Sequence, residues 1–544
     1  MSGGSVADMT LTESYWPADH SVPLVDFTVS ALLADRAAQY PDREALVAVR
    51  HGTENLARLT YRELFDEACR VATGLRRIAQ PGDYVALWAP NVLEWTTIQY
   101  GAALAGVVLV ALNPVLPAAD LEYALRHCGA VVLLHADTSR GYAMAEVAEE
   151  VCGRISGLRR ISLSDSAVWR PDDIDHDVIA RAPVDPDRPV MLQYTSGTTG
   201  RPKGVVLTHH ALVNVAKLTM EAAGIGTAAV CVNPLPLFHT AGCVIATLGP
   251  LWMGGTAVVC ERFVAHAVLD TLRAEEASVL FYVPTILSAL LAAQEASRQR
   301  PPPLRVIMGG AAMVSPHLID SATAVFGAGV FNLYGQTELA PVLTMTRPTD
   351  TRDERLSTVG RPLPQVDCKI VDPETGGTAP VGQIGEICAR GYQQFVEYLH
   401  DPDATAHALD PDNFVRTGDL GTMDSRGFVS VTGRLKELII RGGENIAPAE
   451  IEHAVAAHDD VSEAVAVGVP DERLGEIVAV VCRLTNPAHI GLRTDLVDHA
   501  RERLPAYKLP ARWFVVDTYP TTATGKVQRH ALTAAIRRGE LHEL

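Results

Sequence analysis

The segment Tyr194–Val205 concentrates the most distinctive chemistry of the chain. It reads Tyr-Thr-Ser-Gly-Thr-Thr-Gly-Arg-Pro-Lys-Gly-Val and comes directly after an apolar run, Val190–Leu192. Glycines let a backbone approach an anion closely, hydroxyl and amide N–H groups can donate to phosphate oxygens, and a lysine supplies positive charge. A flexible surface loop seldom combines these groups between a buried strand and a following helix. The segment therefore predicts a loop that binds the phosphates of a nucleotide.

This loop differs from the two commonest nucleotide-binding loops. Lys203 is followed by Gly204 and is not preceded by a glycine, so the Walker pattern G-x-x-x-x-G-K-[ST] does not fit. The dinucleotide fingerprint G-x-G-x-x-G is also absent from the segment. We expect phosphate contacts from its hydroxyl, glycine and lysine residues, namely Thr195, Ser196, Gly197, Thr198, Thr199, Gly200 and Lys203.

A second cluster, Asn332–Glu338, reads Asn-Leu-Tyr-Gly-Gln-Thr-Glu. Tyr334 offers a flat face to a purine, Thr337 offers a hydroxyl to a phosphate or carboxylate, and Glu338 offers a hard oxygen ligand to Mg²⁺. Small residues at the predicted end of a strand, within Met308–Met313, precede it, and α/β sheets bind ligands at such carboxyl ends. Taken alone, a turn with a capping threonine would explain the cluster equally well.

Further short motifs follow towards the C-terminus. Thr417–Asp419 supplies an acidic side chain, Asp419, that suits the two ribose hydroxyls of a nucleotide. The segments Gly433–Pro448 and Pro520–Lys526 complete the set. Each of them alone would be an ordinary turn, and Lys526 alone would be a solvated surface lysine.

Together, and in this order, the motifs resemble those of the adenylate-forming superfamily, which contains acyl- and aryl-CoA synthetases, luciferases and peptide-synthetase adenylation domains. The motifs extend from Tyr194 to Lys526, and family-like spacing in the N-terminal third extends the resemblance to nearly the whole chain. Each short motif could arise by chance, but the ordered set is specific.

The resemblance implies a two-step ligase that uses ATP, Mg²⁺ and coenzyme A. A carboxylate attacks the α-phosphorus of ATP to give an acyl-AMP and pyrophosphate, and a thiol then displaces AMP. Because both partners of the first step are anions, positive charge where they meet is the main catalytic requirement. The catalytic positions implied by the motifs are Lys526, Thr337, Glu338 and His239, with Glu338 also the metal ligand.

Other positions follow from the same resemblance. Lys436 matches the hinge about which a C-terminal domain rotates between the two steps, and Gly442 and Gly443 match the tunnel for the pantetheine of CoA. Besides the phosphate loop, the implied ATP and AMP contacts are Gly310, Ala311, Ala312, Tyr334, Gly335, Asp419 and Arg434.

The substrate acid is expected to be hydrophobic. Amino-acid-activating relatives usually carry an aspartate where this chain has His239, so nothing there would compensate a buried ammonium. Gly335 stands where acetate-type enzymes have a tryptophan that closes the pocket. The expected lining is small or apolar around the histidine: His239, Ala241, Gly242, Val283, Gly309, Gly335 and Ala340. A medium- or long-chain, aryl or polycyclic acid would fit, and either a carrier-protein acceptor or a non-catalytic acyl- or nucleotide-binding role remains an alternative.

These side chains need an α/β scaffold. The sequence predicts a helix after an N-cap at Thr60, a strand over Ala105–Leu112 and, near Gly376, a change to short strands and turns. We therefore expect an α/β fold, with a large N-terminal domain over 1–433 that holds two layered α/β sheets and a small β-rich subdomain. A mobile α+β domain follows over 434–544, with the hinge near Lys436.

Composition sets the remaining limits. The chain has 544 residues, 48% hydrophobic and 20% charged, with a net charge of −18 that argues against nucleic acid as a partner. Nine cysteines without a C-x-x-C pair favour a reducing cytoplasm and exclude a zinc or disulfide framework. Uncharged stretches such as 95–119 contain Pro, Gly and polar breaks, so we expect no transmembrane segment and no signal peptide. The expected partners are small molecules, and a homodimer stays open.

Overall fold

The computed structural model of the protein describes residues 10–50, 57–195, 201–310, 314–442, 444–485, 492–521 and 527–544. Strands and helices are numbered here in chain order. The chain divides into two compact units, of which the first comprises Trp16–Cys368 and Ala389–Val415 and the second comprises residues 10–15, Lys369–Cys388 and Arg416–Leu544.

Two largely parallel sheets form the framework of the first unit. The six-stranded sheet has the order β7-β6-β4-β5-β8-β9, and only β9 runs antiparallel to its neighbour. Its strands are β4 (Tyr84–Trp88), β5 (Val108–Leu112), β6 (Val132–His135), β7 (Arg159–Ser162), β8 (Pro189–Thr195) and β9 (Lys203–Thr208).

The nine-stranded sheet has the order β16-β15-β14-β13-β12-β10-β11-β2-β3, with antiparallel strands only at its two ends. Its strands are β2 (Glu44–Val49), β3 (Ala57–Thr60), β10 (Val230–Asn233), β11 (Thr256–Cys260), β12 (Val279–Tyr282), β13 (Val306–Gly310), β14 (Gly329–Tyr334), β15 (Thr344–Met345) and β16 (Arg361–Pro362).

Helices cover these sheets, because strands buried on both faces need apolar partners above and below. They are α1 (Val29–Gln39), α2 (Tyr61–Arg76), α3 (Leu93–Ala105), α4 (Ala118–Cys128), α5 (Met144–Cys152), α6 (Ser166–Trp169), α7 (His176–Ala180), α8 (His209–Ala222), α9 (Ala246–Trp252), α10 (Ala265–Ala274), α11 (Pro284–Ala296), α12 (Pro316–Phe326), α13 (Arg352–Ser357) and α14 (Pro402–His407).

A five-stranded sheet has the order β1-β17-β18-β19-β20. Its strands are β1 (Tyr15–Trp16), β17 (Val366–Val371), β18 (Gly385–Gly391), β19 (Val415–Met423) and β20 (Val429–Arg434). This sheet is the predicted β-rich segment, and most of its residues belong to the second unit.

The rest of the second unit is an α+β layer. Its sheet has the order β22-β21-β24-β25-β26, with β23 paired to β24. The strands are β21 (Ile439–Arg441), β22 (Glu444–Ile446), β23 (Val461–Asp471), β24 (Gly475–Leu484), β25 (Arg512–Val515) and β26 (His542–Glu543), and the helices are α15 (Pro448–Ala456), α16 (Leu492–Arg503) and α17 (Arg529–Arg538).

The expected α/β class with several sheets and an α+β C-terminal part is confirmed. The helix after Thr60 is also confirmed, because the Thr60 side chain accepts from the Glu63 amide while the Glu63 carboxylate accepts from the Thr60 amide. The division between residues 433 and 434 stays a prediction.

The strand expected over Ala105–Leu112 is wrong at its start. Ala105 is the last residue of α3, and Gly106 ends this helix in the left-handed region with φ of 74°. The strand begins only at Val108. Within the described part of the chain no helix is long and apolar enough to cross a membrane.

Candidate functional site

Several predicted acyl and nucleotide residues of the first unit lie at one edge of the nine-stranded sheet, whereas Thr195 and Lys203 belong to the six-stranded sheet. β10, β12, β13 and β14 are parallel neighbours, so their carboxyl ends share that edge. Gly309 and Gly310 end β13, Tyr334 ends β14, and Val283 directly follows β12. This is the edge at which open α/β sheets bind ligands.

The two glycines of β13 let its neighbours approach closely. A β-carbon on Gly309 would lie 1.9 Å from the Tyr282 carbonyl oxygen, and one on Gly310 would lie 2.0 Å from the Leu333 carbonyl oxygen. Any side chain at these positions would therefore push the strands apart. The glycines keep backbone at the edge of the predicted site, as a bound nucleotide requires.

The predicted phosphate loop connects two antiparallel strands, β8 and β9. Thr195 at the end of β8 pairs with Lys203 at the start of β9 in an antiparallel register. The sequence led us to expect a helix after the loop, but β9 intervenes and α8 begins only at His209. Outside the described residues lie the predicted loop residues Ser196, Gly197, Thr198, Thr199 and Gly200.

Two cations just before and at the start of β9 lie against aromatic rings. The Lys203 ammonium lies 4.4 Å from the centroid of the Tyr398 ring, and the Arg201 guanidinium lies 5.2 Å from that of Tyr123. Among the described residues neither cation forms an ion pair, so their charge is not neutralised by a carboxylate. A cavity of about 270 Å³ opens beside them, lined by Tyr123, His127, Arg201, Pro202, Lys203, Tyr398, Leu399 and Asp401.

His127 is part of the wall of this cavity. Its Nδ1 lies 3.0 Å from the Tyr194 hydroxyl, which itself donates to the Ala124 carbonyl at 2.9 Å. Burial, and then the neighbouring His400, lower the pKa of His127, while Asp401 opposes the shift. A neutral His127 that donates from Nδ1 to Tyr194 satisfies both contacts.

Glu338 is a buried carboxylate with a fixed orientation. It lies in a short 3₁₀ turn, Thr337–Leu339, and its Oε1 accepts a hydrogen bond of 2.7 Å from the Tyr398 hydroxyl. The Glu338 carbonyl also accepts from the Phe395 amide at 2.9 Å. Burial, and then the anionic Glu338, raise the pKa of Tyr398 well above its ordinary value, so this hydroxyl stays protonated and donates.

These contacts fit a Mg²⁺ that is held jointly with a nucleotide. No group of three or more histidine, cysteine, aspartate or glutamate side chains that could hold a metal occurs among the described residues. Mg²⁺ is commonly bound by one or two carboxylates together with substrate phosphates. With Oε1 engaged by Tyr398, the second oxygen of Glu338 is the donor that suits this arrangement.

The segment that carries His239 is a tight turn after β10. The His239 amide donates to the Pro236 carbonyl at 3.2 Å, and the His239 carbonyl accepts from Gly242 at 2.9 Å. A π-helix, Ala241–Ile245, follows, and a β-carbon on Gly242 would lie 2.1 Å from the Pro236 carbonyl oxygen. This glycine is thus needed to close the turn.

Two asparagines that sequence reasoning missed hold this turn. The Asn91 side chain donates to the Leu235 carbonyl and accepts from the Leu237 amide, both at 2.8 Å. Asn233 donates to the Gly242 carbonyl at 3.2 Å. No sequence signal singles out Asn91, because it lies far from His239 along the chain.

Gly335 and Ala340 also lie beside this edge. A β-carbon on Gly335 would come within 2.1 Å of the Pro341 carbonyl oxygen. A tryptophan at this position would therefore require the backbone of residues 335–341 to move. Ala340 is buried, and its amide donates to the Thr337 carbonyl at 3.1 Å.

In the second unit, Asp419 and Arg434 are cross-strand partners on β19 and β20. The Arg434 Nε lies 2.8 Å from Asp419 Oδ1, and the Asp419 side chain is almost fully buried while that of Arg434 is half-exposed. Thr417 accepts from the Asp419 amide at 3.1 Å and so fixes the strand locally. The structure thus brings together Asp419, predicted to contact the ribose, and Arg434, predicted to reach the ribose or to hold the hinge region.

The residues predicted to form the hinge and the tunnel follow β20. Lys436 is exposed in a 3₁₀ turn, Leu435–Glu437. Gly442 is in the left-handed region with φ of 61°, and its amide donates to the Leu474 carbonyl at 2.7 Å. The predicted residues Ala311, Ala312, Gly443 and Lys526 lie outside the described residues.

Comparisons with known proteins identify the family of the chain. The sequence matches the AMP-binding enzyme family over residues 33–399 and the AMP-binding enzyme C-terminal domain over residues 450–526. It is 32% identical to the mitochondrial medium-chain acyl-CoA ligase ACSF2 of Danio rerio over 565 residues, which cover 96% of this chain and 90% of that protein.

Solved structures share the fold over almost the whole chain. The ATP-bound MatB of Rhodopseudomonas palustris is similar with a TM-score of 0.80 and 28% identity, covering 94% of this chain and 99% of that one. The o-succinylbenzoate CoA synthetase MenE of Bacillus subtilis, solved with the acyl-adenylate intermediate OSB-AMP, gives 0.79 and 29% over 92% and 97%. The chain therefore belongs to the AMP-binding enzymes of the adenylate-forming superfamily and is an acyl-CoA synthetase.

Proposed function

We propose that this acyl-CoA synthetase activates a hydrophobic carboxylic acid of the medium- or long-chain, aryl or polycyclic class, with Mg²⁺ as the metal. A carboxylate oxygen of the acid attacks the α-phosphorus of ATP and pyrophosphate leaves. The thiol sulfur of CoA then attacks the acyl carbon, and AMP leaves with the oxygen that came from the acid.

The observation that carries the acid class is the turn Pro236–Gly242. Its only ionisable side chain is His239, and Asn91 and Asn233 hold the turn through neutral hydrogen bonds. Nothing in this turn would neutralise the ammonium of an amino acid, which costs several kcal/mol to bury unpaired. The relatives support the same class, since one is named for medium-chain acids and another is bound to an aromatic acyl-adenylate.

The chain's own residues divide the work of the first step. Lys203 and the hydroxyls of the phosphate loop bind the β- and γ-phosphates, and Lys526 bridges the carboxylate and the α-phosphate. Glu338, oriented by Tyr398, holds the metal. When bound, Mg²⁺ neutralises phosphate charge that would otherwise repel the incoming carboxylate. Asp419 and Arg434 orient the ribose.

The compartment and the assembly belong to the same proposal. Eight of the nine cysteines are buried, which is expected of a protein from a reducing compartment such as the cytoplasm. A homodimer stays open.

ATP–pyrophosphate exchange with a panel of acids tests this function. The panel holds acetate, octanoate, palmitate, benzoate, a polycyclic acid and an amino acid, and the thioester product is identified by mass with CoA or a carrier protein as acceptor. We expect exchange with at least one hydrophobic acid and a CoA thioester as the product. Exchange with the amino acid alone, or transfer to the carrier protein and not to CoA, would contradict the proposal.

A further inference from the structure

Arg529 is the first residue of α17 and is largely buried within the second unit. Its guanidinium forms a bidentate ion pair with Glu452 of α15, in which Nη2 donates to Oε2 at 3.1 Å and Nη1 pairs with Oε1. Nη1 also donates to the Ala466 carbonyl at 2.8 Å. Glu452 in turn accepts from the Ala466 amide at 2.7 Å, so the buried charges are hydrogen-bonded on both sides.

The same guanidinium reaches a third element. Its Nε lies 3.0 Å from Oε2 of Glu437, the last residue of the turn Leu435–Glu437 that contains Lys436. Burial lowers the pKa of Arg529, but Glu452 and Glu437 outweigh it and keep the pKa above its ordinary value. Arg529 thus joins the predicted hinge turn, α15 and the start of α17.

The position of this arginine is unfavourable for the helix itself. The first turn of a helix carries the positive end of the helix dipole, and α17 has no acidic residue there. A cation at this place therefore destabilises the helix. The ion pairs of Arg529 with Glu452 and Glu437 offset this unfavourable interaction.

Arg529 also lies two residues after Val527, which follows Lys526 in the sequence. Thr521 and Val527 form an isolated β-bridge on either side of the segment that ends in Lys526, and the Gln528 amide donates to the Pro520 carbonyl at 2.8 Å. Before this segment, the Tyr519 hydroxyl lies 2.9 Å from the Val481 carbonyl and 3.0 Å from that of Glu463. Both flanks of the segment are therefore anchored to the body of the second unit.

We propose that Arg529 is a positioning residue, which fixes the loop that ends in Lys526 relative to the turn that carries the hinge residue Lys436. The inference rests on the proposed function, because it assigns Lys526 to the adenylation step. The Arg529–Glu437 ion pair is the contact that joins the start of α17 to this turn. Since Lys526 is needed only to form the acyl-AMP, loss of this tie slows that step selectively.

Glu437→Gln is the most specific variant, because it removes the ion pair between Arg529 and the hinge turn and leaves the buried Arg529–Glu452 pair intact. Arg529→Lys is the second variant, since a lysine cannot serve Glu452 in bidentate fashion and Glu437 at once. The control is Glu543→Gln, which breaks the equally bidentate but exposed pair with Arg512 in the same unit.

Acyl-AMP formation, thioester formation from supplied acyl-AMP, and hydrogen exchange of residues 520–528 are measured for each protein. We expect Glu437→Gln and Arg529→Lys to slow acyl-AMP formation by about 3- to 10-fold. Thioester formation stays within about twofold, exchange in 520–528 accelerates, and the double variant is no slower than the worse single one. The control behaves as the wild type.

An equal fall in both half-reactions, or unchanged exchange in 520–528, would overturn the inference. The hydrogen-exchange measurement needs no turnover, so it decides the inference by itself. A wild-type protein that forms no acyl-AMP from any acid would instead refute the proposed function.

Discussion

At the scale of single residues, the site depends on side chains that orient other side chains. Tyr398 donates to the buried Glu338 carboxylate at 2.7 Å and supports the Lys203 ammonium on its ring. The sequence motif pointed to Glu338 and Lys203, because the chemistry of a carboxylate and a lysine is visible in their types. It gave no sign of Tyr398, since a contact across sixty residues depends on how the strands pair.

Tyr398→Phe separates the two roles of this ring. The variant keeps the aromatic face under Lys203 but removes the hydroxyl that holds Glu338, so the carboxylate loses a charge-assisted hydrogen bond worth about 1.5–3 kcal/mol. We expect the Mg²⁺ concentration for half-maximal ATP–pyrophosphate exchange to rise about 3- to 10-fold. Tyr398→Leu removes both roles and additionally weakens ATP binding.

The affinity for the metal is measured without turnover by paramagnetic resonance of bound Mn²⁺. An unchanged metal dependence of Tyr398→Phe would show that Tyr398 does not contribute to the metal site.

At the scale of helices and strands, the sequence predicted a feature correctly where residues close together in the chain determine it. The N-cap at Thr60 was predictable because Thr60 and Glu63 satisfy each other's amides within one turn. The strand at Ala105–Leu112 was placed too early because Gly106, not the apolar run, decides where α3 ends. Strand β9 was missed because a strand can follow a glycine-rich loop as well as a helix can.

His209 links two helices of the first unit and makes their packing depend on pH. It is the first residue of α8, and its Nδ1 accepts from the amide of Val29, the first residue of α1, at 3.1 Å. Burial, and then the nearby Arg188, lower its pKa from 6.5 to about 4. The unfolded chain therefore binds more protons than the folded one between these values, and stability is lost as the pH falls from about 6.5 to about 4.

We expect His209 to account for a loss of about 2 kcal/mol of folding stability between pH 7 and pH 5. His209→Asn keeps an acceptor for the Val29 amide but does not titrate in this range. Its thermal midpoint should therefore fall less between pH 7 and pH 5 than that of the wild type, by a few degrees. Identical pH dependence of the two midpoints would mean that other groups cause the loss.

At the scale of the whole molecule, the ordered motifs predicted the family and the α/β fold, and the comparisons confirm both. They did not predict the compact units, because the second unit gathers residues 10–15 and Lys369–Cys388 with the C-terminal part of the chain. Contacts between segments so distant along the chain leave no local pattern. The assignment of one catalytic step to Lys526 is a claim about the molecule as a whole, since the other predicted catalytic residues, Thr337, Glu338 and His239, belong to the first unit.

The most direct measurement of this claim compares the two half-reactions in Lys526→Ala, with Gly443→Leu as its counterpart. The missing cation should abolish acyl-AMP formation from acid and ATP, because Lys526 is the proposed bridge between the carboxylate and the α-phosphate, the two anionic groups that must meet in this step. Thioester formation from supplied acyl-AMP and CoA should remain, whereas Gly443→Leu should block that step and spare the first. If Lys526→Ala lowers both half-reactions equally, Lys526 does not act in adenylation alone and the account is contradicted.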